Sequence, residues 1–135
     1  MKLAYPYTVT PQESGGYFVQ FVDFEEAITE SDTLAEAAFN AAEVLSGIMA
    51  YRIEHNQSVP EPSSGDLLAR PSAAVQSALL LRAARGSRPM ADLARALDTS
   101  WASAQRLENP NHWPSLKQID RAASFLGKRL VLSLE

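Results

Sequence analysis

The sequence predicts an α+β protein in two parts: a small sheet carrying one long helix, then an all-helical domain. Three observations predict it. Apolar and polar residues alternate near the N-terminus and are followed by a double-glycine turn. Two short helical patterns between Pro89 and Leu107 are split by a polar break at Asp98–Ser100. The charge also changes sign along the chain. Met1–Asp66 carries 2 basic and 11 acidic residues (−9) and Leu67–Glu135 carries 10 basic and 5 acidic (+5), which together give the −4 of the 135-residue chain.

In the first segment, Lys2–Thr10, Leu3, Tyr5, Tyr7 and Val9 share one face, the pattern of a half-buried strand. Pro6 lacks an N–H, which places this strand at an edge or beside a bulge. Ser14-Gly15-Gly16 supplies a turn able to take positive φ. Tyr17–Phe24 is apolar on both faces and reads as a central strand; a short third strand is expected near Ala27–Glu30. Thr33-Leu34-Ala35-Glu36 has the form of a capping box and opens a helix to about Asn56. Its apolar stripe is expected to be Leu34, Ala38, Ala41, Leu45, Ile48 and Met49. Gly47 in mid-helix, unfavourable by ~1 kcal/mol against alanine, suggests a tight contact there.

Ser58–Asp66 reads SVPEPSSGD, without periodicity, and marks a linker. The predicted domains are therefore 1–57, a linker at 58–70, and 71–135. Helical spacing resumes at Ser72 and stops at Arg85-Gly86. Pro89 suits the first turn of the next helix. The short helices on either side of Asp98–Ser100 have the layout of a helix-turn-helix, whose second helix enters the DNA major groove. Ser100 is expected to cap that second helix. Trp101, Ala102, Gln105 and Arg106 share its outward face, and Ala104 and Leu107 face inward. Ser103 lies on the same short helix. Gln105 and Arg106 suit adenine and guanine edges. Trp101 either meets DNA or folds back on its own domain. Arg88, Asn111, His112 and Lys117 complete the expected DNA-binding set, with Arg88 and Lys117 mainly positioning the backbone. Ser115 caps a last helix that Gly127 stops. Arg129–Leu134 then forms an apolar strand with no partner in its own domain, so Leu130, Val131, Leu132 and Leu134 are expected to pair two copies about a two-fold axis.

Hydrophobic residues at 46% and charged residues at 21% suit a soluble globular protein, and no apolar run is long enough to cross a bilayer. The start, MKLAYPY, lacks the apolar core of a signal peptide, so a cytoplasmic location is expected. The absence of cysteine excludes disulfides and thiolate zinc sites. His55 and His112 have no second ligand at metal spacing, and no phosphate loop or nucleophile motif is present. No metal or cofactor is expected. Asp23, Glu25, Glu26, Glu30 and Asp32 crowd one strand end, where they repel rather than converge on a metal. They read instead as an acidic surface for a basic partner, with Phe24 as its apolar anchor. Catalysis is not expected.

The run YPYTVTPQESGGYFVQFVDFEEAITESDTLAEA resembles the HicB-type antitoxins: an aromatic strand, Gly-Gly before Tyr17, the Val22-Asp23-Phe24 strand end, and the Asp32-Thr33 cap before Glu36-Ala37. The C-terminal half is similar to the Xre-like helix-turn-helix of one branch of that family. Two positions depart from the family pattern. Glu25-Glu26 follow Phe24 where many members have proline-glycine, and Met90 stands where glutamine is usual, so that phosphate contact is absent or passes to Arg88. The resemblance implies a partial ribonuclease-H-like fold without nuclease activity. It also implies a HicA-type mRNA-cleaving toxin as partner and repression of the operon encoding both, through a palindromic operator bound by a homodimer or higher homo-oligomer. The competing readings are a stand-alone transcriptional regulator with a ligand-sensing N-terminal domain and a metal-dependent nuclease.

Overall fold

The computed structural model describes residues 1–135 and divides into two compact units, Met1–Ala73 and Ala74–Glu135. Unit 1 contains strands β1 (Tyr5–Pro11), β2 (Tyr17–Phe21) and β3 (Ile28–Ser31), helix α1 (Leu34–Glu54) and a two-residue strand β4 (Leu68–Ala69). They form one antiparallel sheet in the order β3-β2-β1-β4. Tyr7 lies opposite Phe21 and Val9 opposite Val19. Directly opposed residues share a face, and Tyr5, Tyr7, Val19 and Phe21 are buried on it. Helix α1 packs on β3, β2 and β4.

The β1–β2 turn depends on glycine. Gly16 sits at φ +73°, and a Cβ there would lie 2.7 Å from the Ser31 carbonyl oxygen. Gly15 is also left-handed at φ +97° but has no atom within 4 Å of that position. Gly15→Ala is expected to cost about 1 kcal/mol, the usual strain of a left-handed side chain. Gly16→Ala adds a backbone clash and is expected to cost about 2 kcal/mol or more. Urea unfolding of the two variants should show that order.

Thr33 caps α1 by accepting from Glu36 N at 3.2 Å, while the Glu36 carboxylate accepts from Asp32 N rather than from Thr33. The buried stripe of α1 is Ala37, Ala41, Leu45, Met49 and Ile53. Ala41, Leu45 and Met49 of the expected stripe lie in it, but Leu34 is 62% exposed, Ala38 is exposed and Ile48 is half-buried, while Ala37 and Ile53 take the inward places. In an alanine-rich helix several faces look equally apolar, and the short Asp32–Thr33 connection to β3 selects the phase. Gly47 is exposed, with nothing near its Cβ position, so the expected tight contact is not there.

The segment read as a linker is part of unit 1. Tyr5 Oη donates to Pro60 O at 2.6 Å, Ser63 N and Oγ donate to the Asp23 carboxylate at 2.9 and 2.5 Å, and Tyr7 N donates to Leu67 O at 3.0 Å. Gly65 lies so close to Pro6 that a Cβ would sit 2.5 Å from Pro6 Cβ. This segment pairs β1 on its second side, so β1 is an inner strand and not an edge. Pro6 is tolerated because the β1–β2 register begins after it, at Tyr7, and its carbonyl accepts from Val22 N.

Unit 2 is helical: α2 (Ala73–Arg85), α3 (Met90–Ala96), α4 (Trp101–Arg106) and α5 (Leu116–Phe125). Its core joins Leu81, Leu93, Ala94, Ala104, Leu107, Ala122 and Leu126. Pro89 is the cap of α3 itself, with extended backbone, rather than the first helical residue. Asp98 turns the chain after α3 at φ +51°, a left-handed conformation that aspartate tolerates better than most residues. Ser115 and Gln118 cap α5 reciprocally, and Gly127 follows it at φ +74°. Within the single chain Arg129–Leu134 forms no strand; Val131 and Leu132 are 79% and 66% exposed.

Candidate functional site

Each unit carries one candidate surface. In unit 2 the surface is α4 with the loop that follows it. Ser100 Oγ accepts from Ser103 N at 3.1 Å and fixes the start of α4. Ala104 and Leu107 are buried, which turns Trp101, Ala102, Gln105 and Arg106 outward. Trp101 is 53% exposed, so it does not fold back into the core. Ser103 is half-buried, and its hydroxyl accepts from Arg106 Nη1 at 3.5 Å. In the following loop Asn111 is exposed and His112 half-buried, and Asn109 orders both through bonds to their backbone N–H groups. Lys117 is exposed in the first turn of α5. Arg88 is exposed but tethered, with Nη1 donating to Phe125 O at 3.4 Å and its guanidinium 5.9 Å from the Phe125 ring centroid. Met90 packs against the core.

Two features of this unit went unread in the sequence. Trp113 is 68% exposed between Pro110 and Pro114, on the same loop as His112. A large aromatic in a polar, proline-bounded stretch was the available signal. The second is a bidentate pair: Arg85 Nε and Nη2 donate to Glu108 at 2.6 and 3.0 Å, joining the end of α2 to the end of α4. Glu108 raises the Arg85 pKa further, and Arg85 Nη1 also binds Arg88 O at 2.7 Å. Nothing local marks residues 23 apart in sequence as a pair.

In unit 1 the predicted acids do not converge. Asp23 holds Ser63, and Glu26 holds Arg52, whose Nη2 lies 2.6 Å from Glu26 Oε1. That guanidinium holds the Glu26 carboxyl below its ordinary pKa. Glu25 is exposed; Glu30 accepts from Gln12 Nε2 at 3.2 Å; Asp32 is exposed at the start of α1. Ala27 and the four residues of β3 separate Glu26 from Asp32, so the acids are strung out along the outer strand, whose four residues alone span roughly 13 Å. No group of three or more His, Cys, Asp or Glu side chains is placed to hold a metal ion.

Phe24 is not an exposed anchor. It is fully buried, edge-on to Tyr5 with ring centroids 5.1 Å apart and under the Arg52 guanidinium at 4.8 Å. The turn after β2 folds back through Ala27 N→Phe24 O and Phe21 N→Ala27 O, both 3.1 Å, and tucks the ring inward. Tyr5 stays a donor in this core, because burial, helped by Glu61 and Asp23, pushes its hydroxyl up to about 12.

Taken by unit, Met1–Ala73 has 3 basic and 11 acidic residues, and Ala74–Glu135 has 9 basic and 5 acidic. The charge boundary thus falls where the architecture changes.

The family model for the HicB-like antitoxin of bacterial toxin–antitoxin systems matches residues 4–74, from the start of the sheet to the first residue of unit 2. "Antitoxin HicB" of Escherichia coli K12 is 36% identical over 135 residues, covering 96% of this chain and 98% of the relative. "Antitoxin HicB 1" of Photorhabdus laumondii is 31% identical over 136 residues, covering 98% and 88%. "Antitoxin HicB 2" of the same organism is 32% identical over 133 residues, covering 96% and 95%. These relatives are antitoxins rather than enzymes, and no helix of this chain is long and apolar enough to cross a membrane. Matched through the whole of its sheet unit and aligned to its relatives nearly end to end, the chain belongs to the HicB-like antitoxin family.

Proposed function

We propose that this antitoxin has two jobs: unit 1 binds and occludes a HicA-type mRNA-cleaving toxin, and unit 2 represses the operon that encodes both. The observation that carries this reading is the coincidence of two boundaries. The chain changes from net acidic to net basic where it changes from sheet to helices. A toxin that cleaves RNA must hold a polyanion, so its working face is basic and suits an acidic unit; operator DNA suits a basic one. The sheet and helix of unit 1, read as a partial ribonuclease-H-like fold, then serve as a binding scaffold without chemistry. The α3–turn–α4 segment is read as a helix-turn-helix that presents Trp101, Ala102, Gln105 and Arg106 to the major groove. The exposed Arg129–Leu134 segment pairs two copies, which sets two such helices about 34 Å apart for a palindromic operator. The setting for both tasks is the cytoplasm.

Co-expression with the small reading frame beside its gene, followed by co-purification, tests the first job. Arg106→Ala tests the second. It is expected to weaken operator binding by ~1–3 kcal/mol and to relax specificity at one base position, whereas Lys117→Ala weakens all sequences alike and flattens the salt dependence. Equal losses on operator and random DNA for Arg106→Ala contradict its assignment to base readout. Gel-shift titrations at two salt concentrations read both.

A further inference from the structure

We infer that the toxin docks on the first turns of α1 and the neighbouring edge strand β3, with Phe39 as the apolar anchor. This rests on the reading of unit 1 as the toxin-binding unit and names the surface it uses.

Phe39 is 67% exposed and Leu34 62% exposed. The inward stripe of α1, Ala37 to Ile53 in steps of four, is complete without either of them. A large aromatic held out on an ordered helix is therefore not required by the packing of its own unit. On a helix surface the neighbours of residue 39 lie three and four positions away. They include Glu36 and Glu43, both exposed. The next residue, Asn40, donates through Nδ2 to Glu30 O at 2.9 Å, which ties this turn of α1 to β3. β3 is the outer strand of the sheet; its Thr29 lies opposite buried Val19 on the α1 side, while Ile28 and Glu30 lie opposite Gln20 and Phe18 on the other face. Asp32, exposed where β3 passes into α1, adds a third acid on the α1 side of this edge. The basic residues of unit 1 are Lys2, Arg52 and Arg70, and none falls in β2, β3 or the first four turns of α1. The result is an exposed aromatic whose charged neighbours, Asp32, Glu36 and Glu43, are all acidic.

Interfaces are anchored by aromatic residues that fill a pocket, with polar or charged groups excluding water around them. The matching partner surface is an apolar depression bordered by lysine and arginine, which is the character of an RNA-binding face. An acidic border attracts that surface and repels both DNA and a second copy of this unit, whose own Glu36 and Glu43 would meet their counterparts.

The test uses the full-length chain and the small basic protein encoded beside it, with affinity measured by calorimetry or surface capture. Phe39→Glu changes an exposed helix position, so the melting temperature should hold while affinity for the toxin falls about 100-fold or more. Phe39→Ala should lose less, in the same direction. Glu43→Lys should slow association and lessen its dependence on salt. Tyr51→Ala, at the far end of α1 where the ring stacks on His55, should leave affinity unchanged. Wild-type affinity in Phe39→Glu and Phe39→Ala overturns the docking face. So does a variant that keeps toxin affinity but changes its own oligomeric state in light scattering, since the face would then join copies of the chain. If the wild-type chain does not bind the neighbouring protein at all, the underlying reading of unit 1 fails instead.

Discussion

Phe24→Ala is expected to remove about 3–5 kcal/mol from unit 1, the usual loss for a fully buried phenylalanine. Domains of this size hold only about 5–15 kcal/mol in total. The loss has three sources. The ring is fully buried, it packs edge-on against Tyr5, and it lies under Arg52, which itself reaches Glu26 and the Ser58 carbonyl. Removing it opens a cavity where the 58–69 segment closes on β1. Chemical denaturation should show a large drop in the midpoint of unit 1, with toxin binding lost through unfolding. A Phe24→Ala protein that stays fully stable and loses only toxin binding would return Phe24 to the role of a surface anchor.

Glu108→Ala is expected to destabilise unit 2 by about 2 kcal/mol. Breaking a buried ion pair typically costs about 3–5 kcal/mol because the surviving charge is left without a partner. Here the Glu108 side chain is 8% exposed but that of Arg85 is 21% exposed, so water recovers part of the loss. The pair joins the last turn of α2 to the residues after α4, and its loss should loosen α4 before the other helices. Operator binding should fall at temperatures where unit 1 still melts normally. Glu108→Gln, which keeps a neutral acceptor, should recover part of the stability. Unchanged melting of unit 2 in Glu108→Ala would show the pair to be incidental.

The elements with local chemical markers were legible in the sequence. Thr33, Ser100 and Ser115 each mark a helix start through a side-chain oxygen, and Gly16, Gly86 and Gly127 each mark a turn that needs positive φ. The α3–turn–α4 layout was legible for the same reason, since Leu93, Ala94, Ala104 and Leu107 repeat at helical spacing on either side of Asp98. What was not legible depends on distant partners. β4 is two residues long in a proline- and serine-rich stretch, and what holds that stretch comes from Tyr5, Tyr7 and Asp23 far upstream. Phe24 ends a run that is apolar on both faces, so the pattern alone did not say which way its ring turns, and the fold-back through Ala27 buries it. In the alanine-rich α1 the apolar count does not choose between faces. Phe39 therefore gave no sign of being the outward aromatic until its neighbours were placed.

The division of labour between the units is tested most directly by one paired measurement on the full-length Arg106→Ala protein. Its protection of cells against the co-expressed toxin and its occupancy of the operator are measured side by side. The account predicts wild-type protection with operator binding weakened by ~1–3 kcal/mol. Loss of protection in step with loss of operator binding, in a protein that melts like the wild type, would contradict it.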